Sequence, residues 1–353
     1  MRILIACGGT GGHIYPGLAL AKILEQQGDE ILFLGCQTKM EMILVPQHGY
    51  SIVGMPIAGL NRKNIFKNIF LPYKILRSVN QACKIMKSFL PDIIIGTGGY
   101  AQFPVVLAGY LKKIPIFLQE QNAIPGLCNK ICQRFAKKVF TAYEGMEVHF
   151  GKKNIFFGNP VFSPSIPYED LKKEAYKYFR LSAKKPIILF LGGSLGSTKL
   201  INFVFEHVDV FRKNDFQVIL SIGKQNKISK YAPTVNRIKI FPYIERMDYI
   251  YAISTIVVSR AGALGLSELS NNKKAAIIVP SPYVANNHQM CNAKKFEEKG
   301  AVILIEEPEI DKILMNTIID LIRNENKRRQ LETNIAKFDN KDAAEKIINY
   351  IKS

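Results

Sequence analysis

Apolar residues along this chain fall into short runs separated by longer mixed stretches, and that rhythm predicts most of its elements. In the first half, Ile3–Cys7, Glu30–Leu34, Ile52–Met55, Ile93–Ile95, Ile114–Leu118, Val139–Thr141 and Ile155–Phe157 read as strands bounded by Gly, Pro or charge. Helical spacing predicts helices over Gly17–Gln27, Ile69–Phe89, Pro104–Leu111 and Leu127–Phe135. Gly158-Asn159-Pro160, followed by Pro164 and Pro167, interrupts the pattern and reads as a linker. The rhythm then resumes, with strands near Ile187–Leu191, Gln217–Ile222, Ile238–Phe241, Ile256–Ser259, Ala276–Val279 and Val302–Ile305, and helices from Lys199, Ile244, Leu264, Asn286 and Asp311. Alternation of this kind predicts an α/β protein of two domains, each a mostly parallel sheet covered by helices. In the polar stretch Leu331–Ile351, the residues Ile335, Phe338, Ala343, Ile347 and Ile351 keep near-helical spacing. They predict a C-terminal helix packed back across the first domain.

Each predicted domain opens with a strand running into glycines. Gly8-Gly9-Thr10-Gly11-Gly12-His13 follows the first strand, and Gly192-Gly193-Ser194-Leu195-Gly196 follows the first strand of the second half. Such turns bring backbone N–H groups close to a small anion, and the following helix adds the positive end of its dipole. Neither loop has the spacing of a dinucleotide fingerprint, and neither ends in the Gly-Lys-Ser/Thr of a phosphate-binding ATPase loop. His13 closes the first turn, either as a capping and packing group or as a neutral imidazole beside a reacting oxygen.

The second half offers a further small-residue turn, Ser259-Arg260-Ala261-Gly262-Ala263-Leu264, leading to Glu268. A carboxylate there accepts paired ribose hydroxyls, unless it is merely a solvated helix residue. The amides Asn286, Asn287, Gln289 and Asn292 suit sugar hydroxyls, with ordinary helix capping as the competing use.

Charge adds a third feature. The 353 residues carry a formal net charge of +19, which favours anionic partners. From Gly49 to Pro91 there is no acidic residue, while Arg62, Lys63, Lys67, Lys74, Arg77, Lys84 and Lys87 are interleaved with Leu60, Ile65, Phe66, Ile69, Phe70 and Leu71. Rings and aliphatic groups among lysines suit an anionic membrane surface, against the plainer reading of a solvated loop and surface helix. No nucleic-acid-binding signature accompanies the charge. No apolar run approaches bilayer length and no export segment precedes the first strand, so a cytoplasmic protein is expected. Cys7, Cys36, Cys83, Cys128, Cys132 and Cys291 lack the spacing of a structural zinc site or a disulfide framework.

Taken together, several motifs in order resemble the MurG family of peptidoglycan glycosyltransferases over nearly the whole chain. They are Gly8–His13 with Pro16, Gly98-Gly99-Tyr100, Glu120-Gln121-Asn122, Gly158-Asn159-Pro160, Gly192-Gly193-Ser194, Arg260-x-Gly262-Ala263-Leu264 with Glu268, and His288-Gln289 with Asn292-Ala293. The resemblance implies the glycosyltransferase B fold, two Rossmann-like domains whose parallel sheets face an interdomain cleft. An acceptor-binding, membrane-associating domain would occupy residues 1–162 and a UDP-sugar domain residues 163–335, with the C-terminal helix in 336–353. It further implies transfer of N-acetylglucosamine from UDP-N-acetylglucosamine to undecaprenyl-linked lipid I at the cytoplasmic face of the bacterial inner membrane. Cell-wall synthesis proteins become candidate partners, nucleic acid does not, and neither cofactor nor metal is expected.

His13 is the leading candidate for the general base, and the resemblance implies the remaining contacts. Ser194 would meet phosphate, Ile244 uracil, Ala263 and Leu264 the diphosphate or sugar, Glu268 the ribose, and Gln289 and Asn292 the sugar hydroxyls. Thr10, Gly11, Gly12 and Asn122 complete the donor contacts. His13, Gly98, Gly99, Tyr100 and Asn122 would face the acceptor, and Ile65, Phe66, Lys67, Ile69, Phe70 and Lys74 the membrane. Two positions depart from the family pattern: Phe162 stands where Arg is common and Leu195 where Gln is common. A phenyl ring supplies neither charge nor forked donors. Lys199 is the candidate for electrostatic compensation.

Overall fold

In the computed structural model, residues 1–60, 65–162, 168–223, 238–284 and 287–353 are described. Arg62, Lys63, Pro164, Pro167 and Asn286 lie outside the described residues, as do the side chains of Ile65 and Lys67. The chain divides into a first unit, Met1–Phe162 with Asn340–Ser353, and a second, Ser163–Asp339.

The first unit is built on a seven-stranded parallel sheet: β1 Arg2–Ala6, β2 Glu30–Cys36, β3 Ser51–Met55, β4 Ile93–Gly96, β5 Ile116–Glu120, β6 Lys138–Thr141 and β7 Asn154–Phe156. Their order is β3-β2-β1-β4-β5-β6-β7. The central strand β1 pairs with β2 on one side and β4 on the other. It is apolar at every position from Ile3 to Ala6 because helices cover both faces of such a sheet. Ile3, Ile5, Leu18, Phe33, Ile95 and Phe140 form the core, joined from the other end of the sequence by Ala344, Ile347 and Ile348 of the Ala343–Lys352 helix. Each buried isoleucine there contributes about 1.5–3 kcal/mol, enough to hold a ten-residue helix that would not persist alone. Tyr350 adds an edge-on contact to Phe140, with ring centroids 5.6 Å apart.

The second unit repeats the plan with six parallel strands: β8 Ile187–Leu191, β9 Gln217–Ser221, β10 Ile238–Phe241, β11 Ile256–Ser259, β12 Ala276–Ile278 and β13 Ile303–Leu304. Their order is β10-β9-β8-β11-β12-β13. Its core gathers Ile188, Phe190, Phe203, Val258, Ile277, Leu314 and Ile318.

Expected and observed helix limits differ in several places, among them the first helix, one helix of the second unit and the C-terminal stretch. The first runs Gly11–Gln26, so it begins within the glycines and keeps Pro16 inside at the expense of one helical hydrogen bond, that to the Gly12 carbonyl. The helix expected from Ile244 begins at Met247. The C-terminal stretch is two elements: Glu325–Ile335 with a 3₁₀ turn Ala336–Phe338, then Ala343–Lys352. Phe338 stacks on Phe296 within the second unit, with centroids 4.1 Å apart, whereas Ile347 joins the core of the first. The apolar spacing thus continued across a break because two different cores read its two halves.

Candidate active site

In each sheet the strand order reverses beside the first strand, between β1 and β4 and between β8 and β11. Loops diverge there at the carboxyl ends of the strands and leave a crevice, the usual ligand position in open parallel sheets. The glycine-rich turns and the 260–264 turn sit at these two points.

In the first unit the loops after β1 and β4 approach until backbone meets backbone. Gly99 has φ +80°, and a side-chain carbon there would lie 1.9 Å from the Gly8 carbonyl oxygen. Gly98 has φ +104°, and a side-chain carbon there would lie 2.6 Å from His13 Nδ1. Only glycine meets both requirements at these positions. A buried carboxylate braces the β1 loop from behind: Glu41 accepts from the Gly9 N–H at 3.1 Å and the Cys36 N–H at 2.9 Å. Burial, with Glu41 beside it, pushes the neighbouring Cys7 thiol far above its ordinary range, so Cys7 is no nucleophile. The Tyr100 hydroxyl is likewise raised, chiefly by burial, and stays protonated.

His13 occupies the first turn of the Gly11–Gln26 helix and is half-buried. Its Nδ1 lies 3.1 Å from Gln121 Oε1, and its carbonyl accepts from Thr97 Oγ1 at 2.7 Å. Gln121 Nε2 donates to the Thr97 carbonyl at 2.7 Å and to the Gln119 side-chain oxygen. Gln119 in turn donates to Asn159 Oδ1 at 3.0 Å, and Asn159 Nδ2 donates to the Gln121 carbonyl at 3.2 Å. Glu120 is also buried and accepts from the N–H and Nδ2 of Asn122, the N–H of Gly126 and Nδ2 of Asn129. Asn122 is thereby held at the end of β5 beside this network.

The second unit is braced by charge. A side-chain carbon at Gly192 would lie 2.5 Å from the Ser197 N, and one at Gly223 would lie 2.3 Å from the Gly196 N, so the loops after β8 and β9 touch. Ser194 and Leu195 are exposed at the loop tip, while Ser197 is buried and caps the Thr198–Glu206 helix by accepting from the Leu200 N–H at 3.3 Å. Arg260 is buried behind the loop. Its guanidinium donates to Ser197 Oγ at 2.6 Å, to the Val279 and Pro280 carbonyls at 3.2 and 3.3 Å, and to Glu307.

Ala263 and Leu264 form the first turn of the Ala263–Asn271 helix, which carries Glu268. The Tyr251 hydroxyl donates to Glu268 Oε2 at 3.0 Å, and burial outweighs this bond to push the carboxyl up to about 7. Gln289 Oε1 accepts from the Ser281 N–H at 2.8 Å. Ile244 and Asn292 are buried side chains, Asn292 donating to the Ala261 carbonyl at 3.4 Å. Lys199 does not stand in for the amide absent at Leu195: it pairs with Asp311. Phe162 stacks on His48 in the first unit, with centroids 5.9 Å apart, and Lys22 Nζ lies 5.8 Å from its ring centre.

Away from these crevices, Phe66, Ile69 and Phe70 are 87%, 71% and 69% exposed. They lead into the Leu71–Phe89 helix, which buries Val79, Ala82 and Met86 and exposes Tyr73 and Leu76. Among the described residues, no helix is long and apolar enough to cross a membrane.

Glu41, Tyr251 and Glu307 had no local signal: each is a single polar residue whose partner lies far away in sequence or on another element. Residues 3–141 match the Glycosyltransferase family 28 N-terminal domain and residues 187–347 the Glycosyltransferase family 28 C-terminal domain. The chain is 42% identical over 360 residues to the UDP-N-acetylglucosamine--N-acetylmuramyl-(pentapeptide) pyrophosphoryl-undecaprenol N-acetylglucosamine transferase of Amoebophilus asiaticus, covering 99% of each chain. It is 38% identical to the protein of the same name from Christiangramia forsetii, covering 99% of this chain and 98% of that one. Its structure resembles the crystal structure of Acinetobacter baumannii MurG with a TM-score of 0.77 at 27% identity, covering 99% of each chain. With two parallel-sheet domains of the glycosyltransferase B fold and family 28 motifs in both, the chain belongs to the MurG family of glycosyltransferases and is an enzyme.

Proposed function

We propose that this enzyme transfers N-acetylglucosamine from UDP-N-acetylglucosamine to the 4-hydroxyl of the N-acetylmuramoyl group of undecaprenyl-linked lipid I, giving lipid II for peptidoglycan synthesis. The full-length similarity to transferases named for this reaction supports the substrates. The observation that carries the chemistry is His13, set at a sheet switch point in the first turn of a helix with its Nδ1 engaged by Gln121.

The reaction is an inverting direct displacement. His13 takes the proton of the 4-hydroxyl as its oxygen bonds to the anomeric carbon. The bond from that carbon to the UDP oxygen breaks, and an α-linked donor becomes a β-1,4-linked disaccharide. The departing diphosphate gains negative charge, which backbone N–H groups of the 193–196 loop and of Ala263 and Leu264 stabilise. Ser194 adds a hydroxyl, Glu268 accepts the ribose hydroxyls, and Gln289 holds the sugar. Because the Ile244 side chain is buried, its uracil contact is assigned to the main chain. Buried Asn292 is assigned to holding the Ala261 end of the turn rather than to the sugar.

In the first unit, Thr10, Gly11, Gly12 and Asn122 complete the donor contacts, and Gly98, Gly99, Tyr100 and Asn122 meet the reacting hydroxyl and the acceptor diphosphate. Phe66, Ile69, Phe70 and the neighbouring basic residues seat this unit on the anionic cytoplasmic face of the bacterial inner membrane as a peripheral protein. Each lysine near such a surface adds about 1 kcal/mol.

Mass analysis after mixing the enzyme with lipid I and UDP-N-acetylglucosamine tests the reading. A lipid-linked disaccharide and stoichiometric UDP are expected, with the new linkage β by NMR. An epimerised free sugar, or UDP without disaccharide, would overturn it.

A further inference from the structure

The polar groups between β4, β5 and the linker after β7 form a chain with one direction. Asn159 Nδ2 points at a backbone carbonyl, that of Gln121, which only accepts. Asn159 Oδ1 is therefore the end facing Gln119, and Gln119 must present Nε2 to it. The other end of that amide, Gln119 Oε1, faces Gln121, which must present Nε2 and does so while also donating to the Thr97 carbonyl. Only Oε1 of Gln121 is left for His13, so the ring nitrogen opposite it, Nδ1, carries the proton. Gln119, Gln121 and Asn159 are all buried, and each link is a direct hydrogen bond between protein groups. The orientation of two main-chain carbonyls is thus passed through three neutral amides to an imidazole 108 residues from its partner in sequence.

From this we infer that Gln121 is a positioning residue: it locks His13 in the Nδ1–H tautomer, leaving Nε2 as the basic nitrogen for the proton transfer, an assignment that rests on the reaction proposed above. Free imidazole has no such constraint, and a ring protonated on Nε2 presents a donor where the reaction needs an acceptor. Gly98 serves the same end, since any side chain there would displace the ring at Nδ1. The amides are neutral, so they fix the tautomer without adding the carboxylate that would favour an imidazolium.

Nitrogen-15 NMR of full-length enzyme labelled at its histidine rings tests this directly. His13 is assigned as the resonance absent from the His13→Gln variant. A protonated Nδ1 and an unprotonated Nε2 are expected in the wild-type chain above the titration of the ring; the Nε2–H tautomer there would overturn the proposal. In Gln121→Leu the ring should move to a tautomer mixture. Its kcat should fall by about 10- to 100-fold while KM for UDP-N-acetylglucosamine stays within about twofold, as expected when a base is misprotonated rather than a substrate site lost. Gln121→Glu keeps an oxygen opposite Nδ1, so its ring, once neutral at the higher pH the added carboxylate requires, should keep the Nδ1–H tautomer; if the neutral ring instead matches Gln121→Leu in both tautomer and kcat, the inference fails. Should Gln121→Leu not fold, the wild-type and Gln121→Glu spectra still decide. An Nδ1–H ring in an enzyme that makes no lipid-linked disaccharide would support the positioning role and count against the proposed reaction alone.

Discussion

The two switch points share one topology and are braced by opposite chemistry. Behind the first unit's glycine loops lies a relay of neutral amides ending on His13; behind the second unit's loop lies an ion pair, Arg260 with Glu307, tied to Ser197. A neutral base needs a bracing that fixes hydrogen-bond direction without adding field, and amides supply that. A site for a dianionic diphosphate tolerates buried charge, yet here the guanidinium is spent on Glu307 and on carbonyls. The positive potential at that loop is left to backbone N–H groups and helix termini.

Five substitutions test this contrast. His13→Ala removes the group the amide relay serves, and kcat should fall by about 10²- to 10⁴-fold with stability unchanged within error; near-normal turnover at saturating substrates would refute the base. Arg260→Met leaves the part-buried carboxylate of Glu307 uncompensated and should lower the stability of the second unit by about 3 kcal/mol, read from urea denaturation. Adding Glu307→Gln to it should recover part of that loss, because the uncompensated charge goes with it.

Glu268 tests the donor side by pH. Its carboxyl is raised to about 7, so it is largely protonated below that pH, and in the ribose-binding role proposed for it the carboxylate would accept hydroxyls fully only above it. KM for UDP-N-acetylglucosamine should therefore fall several-fold between about pH 6 and 8, and Glu268→Gln should flatten the profile. The same shift makes folding favour the protonated form, so its contribution to stability is present in the ordinary carboxylate range and is lost as pH rises through about 7. Smallest of all, Lys199→Ala removes an exposed ion pair with Asp311 and should leave both kcat and the melting temperature unchanged. A large loss of donor affinity there would mean that Lys199 leaves Asp311 when the nucleotide binds.

Much of the fold was legible because parallel strands are buried on both faces and read as apolar runs; β8, β10 and β11 coincide with their predicted limits. Less legible were elements whose boundaries depend on partners. The first helix, expected from Gly17, begins at Gly11 and holds Pro16 within it, its first turn tied by the Thr97 hydroxyl on the His13 carbonyl. The short helix Glu41–Gln47 gave no periodic signal, although its first residue braces the β1 loop.

By itself the sequence determined the alternation of strand and helix, the two glycine turns, the basic apolar segment and, through the order of its motifs, the family. These are local: each depends on residues within a few positions of one another, where spacing and side-chain chemistry suffice. Only the packed molecule sets Gln121 against Nδ1 of His13, engages Lys199 with Asp311, lays Phe162 against His48 and buries Asn292. Each of these is a choice among partners distant in sequence, made by how the sheets bring strand ends together, and no spacing encodes it. The glycines at 98 and 99 join the two levels: they are visible in the sequence, but the carbonyl and the imidazole that forbid a side chain there come from other segments of the chain.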